Sequence, residues 1–448
     1  MSLLLRTFNS SRPYTKLASS LLLAGLIAGC TSGCSKGSDS TTSSEHNHDH
    51  EDTEIESSGV LALFNSDTNS IDMLNIDDQQ VLNSFALSGS APRLYTSPEG
   101  RYAVSIQRSD NLVSFFDSGL YSEDHGDHLH DYQDTPSDTG ITLNGIAPTH
   151  YSVFDEQGVI FNDGADGTVS SFALISDEVL TGNDTIASLE LDNRMHGVAK
   201  LINDKLFVTY RDLSVTETTL PEQVERYSFD GTNFTLDTRY SEGCPGLHGA
   251  GANENYLVFG CSDGVLSINI GDASYTATHS ANPASFAEGA RIGSVYGHHE
   301  VDELIGTVGA HGSSTRNLFR LAPGTVEVIS EFALPENDTA ITQGFTHSGE
   351  IFYALSQDGE LHFYHSADWL LSHTLPLISN DQLSLERGES PLVVASKADE
   401  ALYVLNPNTN QVHIVNATSG SLVTTIELAF NATSIAWLGL TSAHEHEH

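Results

Sequence analysis

Histidine and aspartate crowd into four places along this chain, and each could hold a transition-metal ion. The densest is "EDHGDHLHDY" (123–132), where His125, His128 and His130 stand beside Asp127 and three further acids. On an extended backbone His128 and His130 share a face, while Gly126 allows the chain to turn His125 back towards them. A second group is dispersed: His150 in "PTHYSVF", His196 in "RMHGVAK" and His248 in "GLHGAGA". Two further clusters alternate histidine with other residues, His46, His48 and His50 in "EHNHDHED" and His444, His446 and His448 in the closing "HEHEH". Neutral imidazole is a zinc ligand at about 2.0–2.1 Å, and carboxylate oxygen at about 2.0–2.2 Å. The alternating clusters read as weak, fast-exchanging metal-collecting tails. The pair His298 and His299 in "YGHHE" is read as a further auxiliary metal-collecting site.

The elements that must position these residues repeat. "GVLALFNSDTNSIDMLNIDDQQVLNSFAL" (59–87) and "ALYVLNPNTNQVHIVNATSGSLVTTIEL" (401–428) follow one pattern of apolar strand, polar turn, alternating strand, polar turn and third strand. Weaker copies place eight repeat starts near 60, 102, 159, 205, 256, 304, 351 and 401. Spacings of roughly 40–57 residues suit one four-stranded blade each. A further strand precedes each start, and "NATSIAWLGL" (431–440) can supply the missing one for the first repeat. The expected fold is therefore all-β, a β-propeller of eight four-stranded blades closed by a C-terminal strand over 59–441, with seven blades as the alternative. Closure removes the exposed edges of a long β-array. In such a ring His150, His196 and His248 fall near one offset on three successive innermost strands, with Arg93, Arg291 and Gln343 at the neighbouring positions. The segment 117–140 interrupts the second blade. The expectation is a mobile histidine arm reaching over a fixed histidine platform.

The ends and the composition bound the setting. Arg6, Arg12 and Lys16 precede the apolar run "LASSLLLAGLIAGC", which is too short for an ordinary membrane span. The run closes on Ile27-Ala28-Gly29-Cys30, which resembles a bacterial lipobox. This implies a lipoprotein signal peptide over 1–29 and a lipid anchor on Cys30, and Thr31 resembles a residue that permits outer-membrane sorting. Residues 30–58 are a Ser/Thr/acidic tether without the apolar content for a core, and 442–448 form a His/Glu tail. The expected location is periplasmic, anchored to the outer membrane through lipid alone. Beyond Cys30 and the tether's Cys34, the body holds only Cys244 and Cys261, most simply a disulfide in an oxidising compartment. Sixty Asp and Glu against 18 Lys and Arg give a formal charge of −42, which argues against nucleic acid or an anionic membrane surface as a partner.

"APTHY…GVIFNDG", "MHGVA", "CPGLHG…FGCSDGVL", "GSVYGHHEVDELIGTVGAHG" and "ITQGFTHSGEIFYALSQDGELHF" together resemble the AztD family of periplasmic zinc metallochaperones. The resemblance covers most of 59–440 and includes the histidine-rich tether. It implies a non-enzymatic propeller whose cargo is Zn2+ and whose partner is the solute-binding protein of a zinc ABC transporter. The lipobox departs from that pattern, since a tethered protein would deliver zinc differently from a diffusing one. Two other classes compete. An interaction or adhesion lipoprotein would leave the clustered histidines idle. A metal-dependent hydrolase or lactonase-like propeller would need a carboxylate-rich site and a general base, whereas the mouth strands offer His, Arg and Gln. No nucleophile elbow, phosphate loop or dinucleotide fingerprint occurs in a supporting context.

Overall fold

In the computed structural model, residues 55–441 are described, except 125–128, 183–185, 311 and 387 and the side chains of Asp124 and Leu129. Cys30, His46, His48, His50, His125, Asp127, His128 and the C-terminal tail, with the roles expected of them, lie outside the described residues. Eight four-stranded antiparallel sheets follow one another, and a ninth, two-stranded ribbon is inserted in the second. Each repeat start is the second strand of its blade: Val60, Tyr102, Gln157, Lys205, Tyr256, Leu304, Ile351 and Ala401. The ring closes as expected. The C-terminal strand Ala432–Leu438 is innermost in the first blade and pairs antiparallel with Val60–Asn65, matching Val60 to Leu438 and Leu63 to Ile435.

Turn chemistry explains why the first and last repeats look alike. In "NSDTNS" and "NPNTNQ" the asparagine side chain that opens the turn accepts a backbone N–H two residues on, from Asp67 at 3.0 Å and from Asn408 at 3.2 Å. Each turn then closes on an asparagine in the left-handed region, Asn69 at φ 54° and Asn410 at φ 55°. Asparagine tolerates that region at little penalty, so the same short polar turn recurs.

Packing is between blades. Leu61, Leu63 and Trp437 of the first blade pack with Tyr403, Leu405 and Val412 of the last, and similar clusters fill the other seams. Every core is thus shared by neighbours, so a blade cannot bury its apolar faces alone. The innermost strands start at one end of the ring, here the leading end. Connections between second and third strands, and from blade to blade, lie there also. Connections from first to second and third to fourth strands lie at the trailing end. Contacts across seams keep this order. At the leading end Arg108, in a second-to-third connection, donates to the carbonyl of Ala147 at 3.2 Å. At the trailing end Asp177, in a third-to-fourth connection, accepts from Ser97 Oγ at 2.7 Å, and Lys397 donates to the Pro98 carbonyl at 2.7 Å.

The inserted ribbon pairs Leu120–Asp124 with Leu129–Gln133 between the third and fourth strands of the second blade, at the trailing end. Tyr121 stacks on Tyr132 with ring centroids 5.0 Å apart, and Arg101 lies over Tyr121 at 4.0 Å. The N-terminal segment reaches the same end: Ile55 N–H donates to Asp131 Oδ2 at 3.3 Å, and the Ser58 carbonyl accepts from Trp437 Nε1 at 3.0 Å. Cys244 and Cys261 are disulfide-bonded, with Cα atoms 5.0 Å apart, on either side of the first hairpin of the fifth blade. Among the described residues, no helix is long and apolar enough to cross a membrane.

Candidate metal centre

Three successive blades deliver the site. His150 stands in the innermost strand Pro148–Phe154 of the third blade, and His248 opens the innermost strand His248–Ala252 of the fifth. His196 lies in the connection that leads into the innermost strand Ala199–Ile202 of the fourth, its N–H donating to the Thr219 carbonyl at 2.8 Å. The single shared ladder position expected from sequence does not occur. His150 follows a bulge at Pro148/His150, His248 precedes one at His248/Ala250, and His196 precedes its strand altogether. A bulge adds a residue and re-aims the next side chain, so three different positions converge on one point.

Close backbone approach explains the glycine that follows two of the histidines. A Cβ on Gly197 would lie 2.3 Å from Thr209 Oγ1 and 2.7 Å from Phe161. One on Gly249, at φ +53°, would lie 2.7 Å from the Gly293 carbonyl oxygen. The "HG" pairs therefore let neighbouring blades press together beside the site.

His196 Nε2 stands 3.3 Å from His150 Nε2 and 3.1 Å from His248 Nε2. One ligand atom from each of the three lies within 4.8 Å of the others. Zinc–nitrogen bonds at the tetrahedral angle hold nitrogens about 3.3 Å apart. The outer nitrogens are engaged from behind: His196 Nδ1 meets Asp163 Oδ2 at 2.7 Å, and His248 Nδ1 meets the Gly293 carbonyl at 2.6 Å. A carbonyl or carboxylate oxygen can only accept there, so both Nδ1 atoms carry the proton. In the neutral rings both Nε2 atoms then present lone pairs, facing each other at 3.1 Å with no hydrogen to share. A cation between them resolves that contact. The carboxylate behind His196 is the arrangement that orients and strengthens metal-bound imidazole. Asp163, 5% exposed, also accepts from Arg108 Nη2 at 2.9 Å.

Two of the three rings, His150 and His248, are held towards neutral imidazole. Burial, reinforced by the neighbouring histidines and by Arg93, pushes His150 down to about 3 against the opposing pull of Asp163. Burial also lowers His248, with His196 and Arg291 acting in the same direction. Neutral imidazole is the metal-binding form. Among the described residues no fourth His, Cys, Asp or Glu joins the triad, so the described residues supply three ligands.

The structure separates His130 from the triad. His130 is cross-strand from Glu123 in the inserted ribbon, at the trailing end, while the triad sits at the leading end. An inner strand of seven residues is about 20 Å long, which is the separation a reaching arm would have to cross. Of the expected arm, His130 therefore lies at the opposite end from the platform, and His125, Asp127 and His128 lie outside the described residues. An insertion after a third strand emerges at the opposite end from an innermost strand's start. His298 and His299 also sit at the trailing end, lining a cavity of about 320 Å3 with Lys200 and Tyr296. His298 Nε2 donates to the His347 carbonyl at 3.0 Å and its Nδ1 accepts from the Glu300 N–H at 3.2 Å, so both ring nitrogens serve the backbone. A second cluster, Cys261, Asp263 and His279, has its sulfur in the disulfide, leaving an ion pair of 3.0 Å. Sequence reasoning missed Asp163 and the Gly293 carbonyl. The first stands in "NDGADG", where an aspartate beside turn glycines carries no metal signal, and the second has no side chain to signal it.

No family model matches the chain. It is 23% identical over 395 residues to the zinc chaperone AztD of Citrobacter koseri, covering 87% of this chain and 89% of that protein. The structure of apo AztD from Citrobacter koseri superposes with a TM-score of 0.67 at 20% identity, over 85% of this chain and 98% of that one. A second crystal structure of the Citrobacter koseri protein gives 0.68 over 86% and 98%, also at 20% identity. The dihydro-heme d1 dehydrogenase NirN in complex with DHE shares the fold at a TM-score of 0.53 and 10% identity, over 87% of this chain and 77% of that one. The resemblance read from the sequence is therefore matched by both a sequence relative and its structure.

Proposed function

We propose that this protein is a zinc chaperone that holds Zn2+ as cargo at His150, His196 and His248 and passes it to the solute-binding protein of a zinc ABC transporter. The observation that carries the reading is the pair of facing Nε2 lone pairs on His196 and His248, each fixed by an acceptor behind its ring. The likeness to the zinc chaperone AztD supports it. The three ligands among the described residues leave one zinc position open, which permits associative exchange with an acceptor. The same count occurs in hydrolytic zinc centres, but those need a proton acceptor beside the bound water. Here Arg93, Arg108 and Arg291 surround the triad, and Asp163 stands behind His196. That environment favours holding and release over chemistry.

The setting proposed is periplasmic, with Cys30 as lipid anchor and the histidine-rich termini as collectors that feed the tight site. The buried disulfide suits an oxidising compartment. The test is zinc binding by a chain lacking residues 1–58 and 444–448, followed by mixing with a metal-free acceptor. Stoichiometric tight binding and transfer by the truncated chain, abolished by His196→Ala, support the proposal. Loss of tight binding on truncation alone would place the site in the tails.

A further inference from the structure

The arginines of the leading end are not accounted for by zinc. Five successive blades bring Arg93, His150, His196, His248 and Arg291 to the start of their innermost strands. Arg93 pairs with Ile106 as His150 pairs with Phe161, each opposite the penultimate residue of its second strand. Arg291 stands two residues before Gly293, whose carbonyl holds His248, and its Nη1 lies 3.4 Å from the Gly246 carbonyl. The triad is thus flanked by a guanidinium on either side. Elsewhere Arg101, Arg108, Arg194, Arg226, Arg239 and Arg320 each meet a carboxylate, while Arg211 and Arg316 are each held by two backbone carbonyls. Among the described residues Arg93 and Arg291 meet no carboxylate, in a chain with more than three acids for every base.

Two cations that meet no carboxylate repel a neighbouring dication, and the described carboxylate beside the triad, Asp163, is already shared by His196 and Arg108. An anion between the two cations reverses the sign of that interaction. A carboxylate fits both demands. One oxygen can ligate zinc, and the planar pair of oxygens matches the guanidinium fork. We propose that zinc on the triad takes a carboxylate as its fourth ligand, held by Arg93 and Arg291. This rests on the zinc reading of the triad. The carboxylate replaces a bound water, and no covalent bond in it changes. It belongs either to a small organic acid or to an aspartate or glutamate of a docking protein.

Cobalt(II) replaces zinc as a coloured probe, with sodium acetate as the anion. The cobalt-loaded full chain should show a tetrahedral visible spectrum that acetate shifts with saturation. In the Arg93→Gln/Arg291→Gln double variant the acetate dissociation constant should rise about tenfold or more. In buffer without carboxylates the same variant should bind cobalt more tightly, because two positive charges have gone. A spectrum that acetate leaves unchanged, or equal acetate affinity in the variant, would overturn the proposal and leave the triad standing. Weaker cobalt binding by the variant without acetate would also overturn it, by making the arginines structural supports. Failure of the unaltered protein to bind cobalt at the triad would instead remove the zinc reading beneath it. A hexaglutamate peptide identifies the source: saturation at lower carboxylate concentration than acetate assigns a protein side chain, and the reverse assigns a free acid.

Discussion

Replacing Asp163 with asparagine isolates the one charged group that supports the triad without belonging to it. The carboxylate is 5% exposed, accepts the His196 Nδ1–H at 2.7 Å and is held by Arg108 at 2.9 Å. An asparagine of the same shape keeps an oxygen towards both donors but removes the negative charge that makes His196 a stronger ligand. Loss of such a backing group weakens metal binding by about 10–100-fold, equivalent to about 1.4–2.7 kcal/mol. Hydrogen bonds to a charged partner are worth about 1.5–3 kcal/mol, which gives the same range by another route. The assay is a competition titration against a chromophoric chelator at neutral pH, with thermal unfolding as the check that the fold persists. Affinity within twofold of the unaltered protein would refute the argument that the carboxylate tunes His196. A loss as large as that of His196→Ala would refute it differently, by making Asp163 itself a ligand.

Alanine at any one of His150, His196 or His248 should lower zinc affinity by more than about a hundredfold, beyond the range of a backing group, in the same titration. The His125→Ala/His128→Ala/His130→Ala variant should keep the tight site within about twofold; a loss equal to that of His150→Ala would return the ribbon to the site. Acid should destabilise the metal-free protein through His150, which burial holds at about 3 against an ordinary 6.5. Between those values the unfolded chain binds the proton and the folded one does not, so stability rises with pH. Urea unfolding at several pH values should therefore show a shallower acid loss for His150→Ala than for the unaltered chain. Reducing the Cys244–Cys261 bridge, which closes a separation of 17 residues, should destabilise by about 3 kcal/mol on the chain-entropy account. Denaturant midpoints with and without reductant measure this.

The eight blades were legible because every second strand opens with an apolar run after a polar turn, so the repeat starts fall on real strands. The triad was legible from residue type and from its spread over three consecutive repeats. Its geometry was not. Bulges at His150 and His248 shift the ladder in ways that a count along the chain cannot see. Asp163 hides in an Asn-Asp-Gly turn, where aspartate is commonplace. The end at which the inserted ribbon emerges was not legible for a different reason. Its neighbourhood to the third blade was correct, but the end at which a connection emerges depends on which strands it joins.

The ribbon and Ile55 share one pole of the ring, and the triad occupies the other. The first described residues and the proposed metal site therefore lie along opposite directions of a single axis. A partner that grips residues 55–58 meets the trailing pole and leaves the histidine mouth facing outward. An acceptor can approach that mouth head-on without competing for space with whatever holds the chain. Polarity of this kind would also make orientation matter: the same propeller fused through Thr441 stays unobstructed, because Leu438 ends its strand at the trailing pole too, whereas a cap grafted onto the turn at Arg108 would close the mouth.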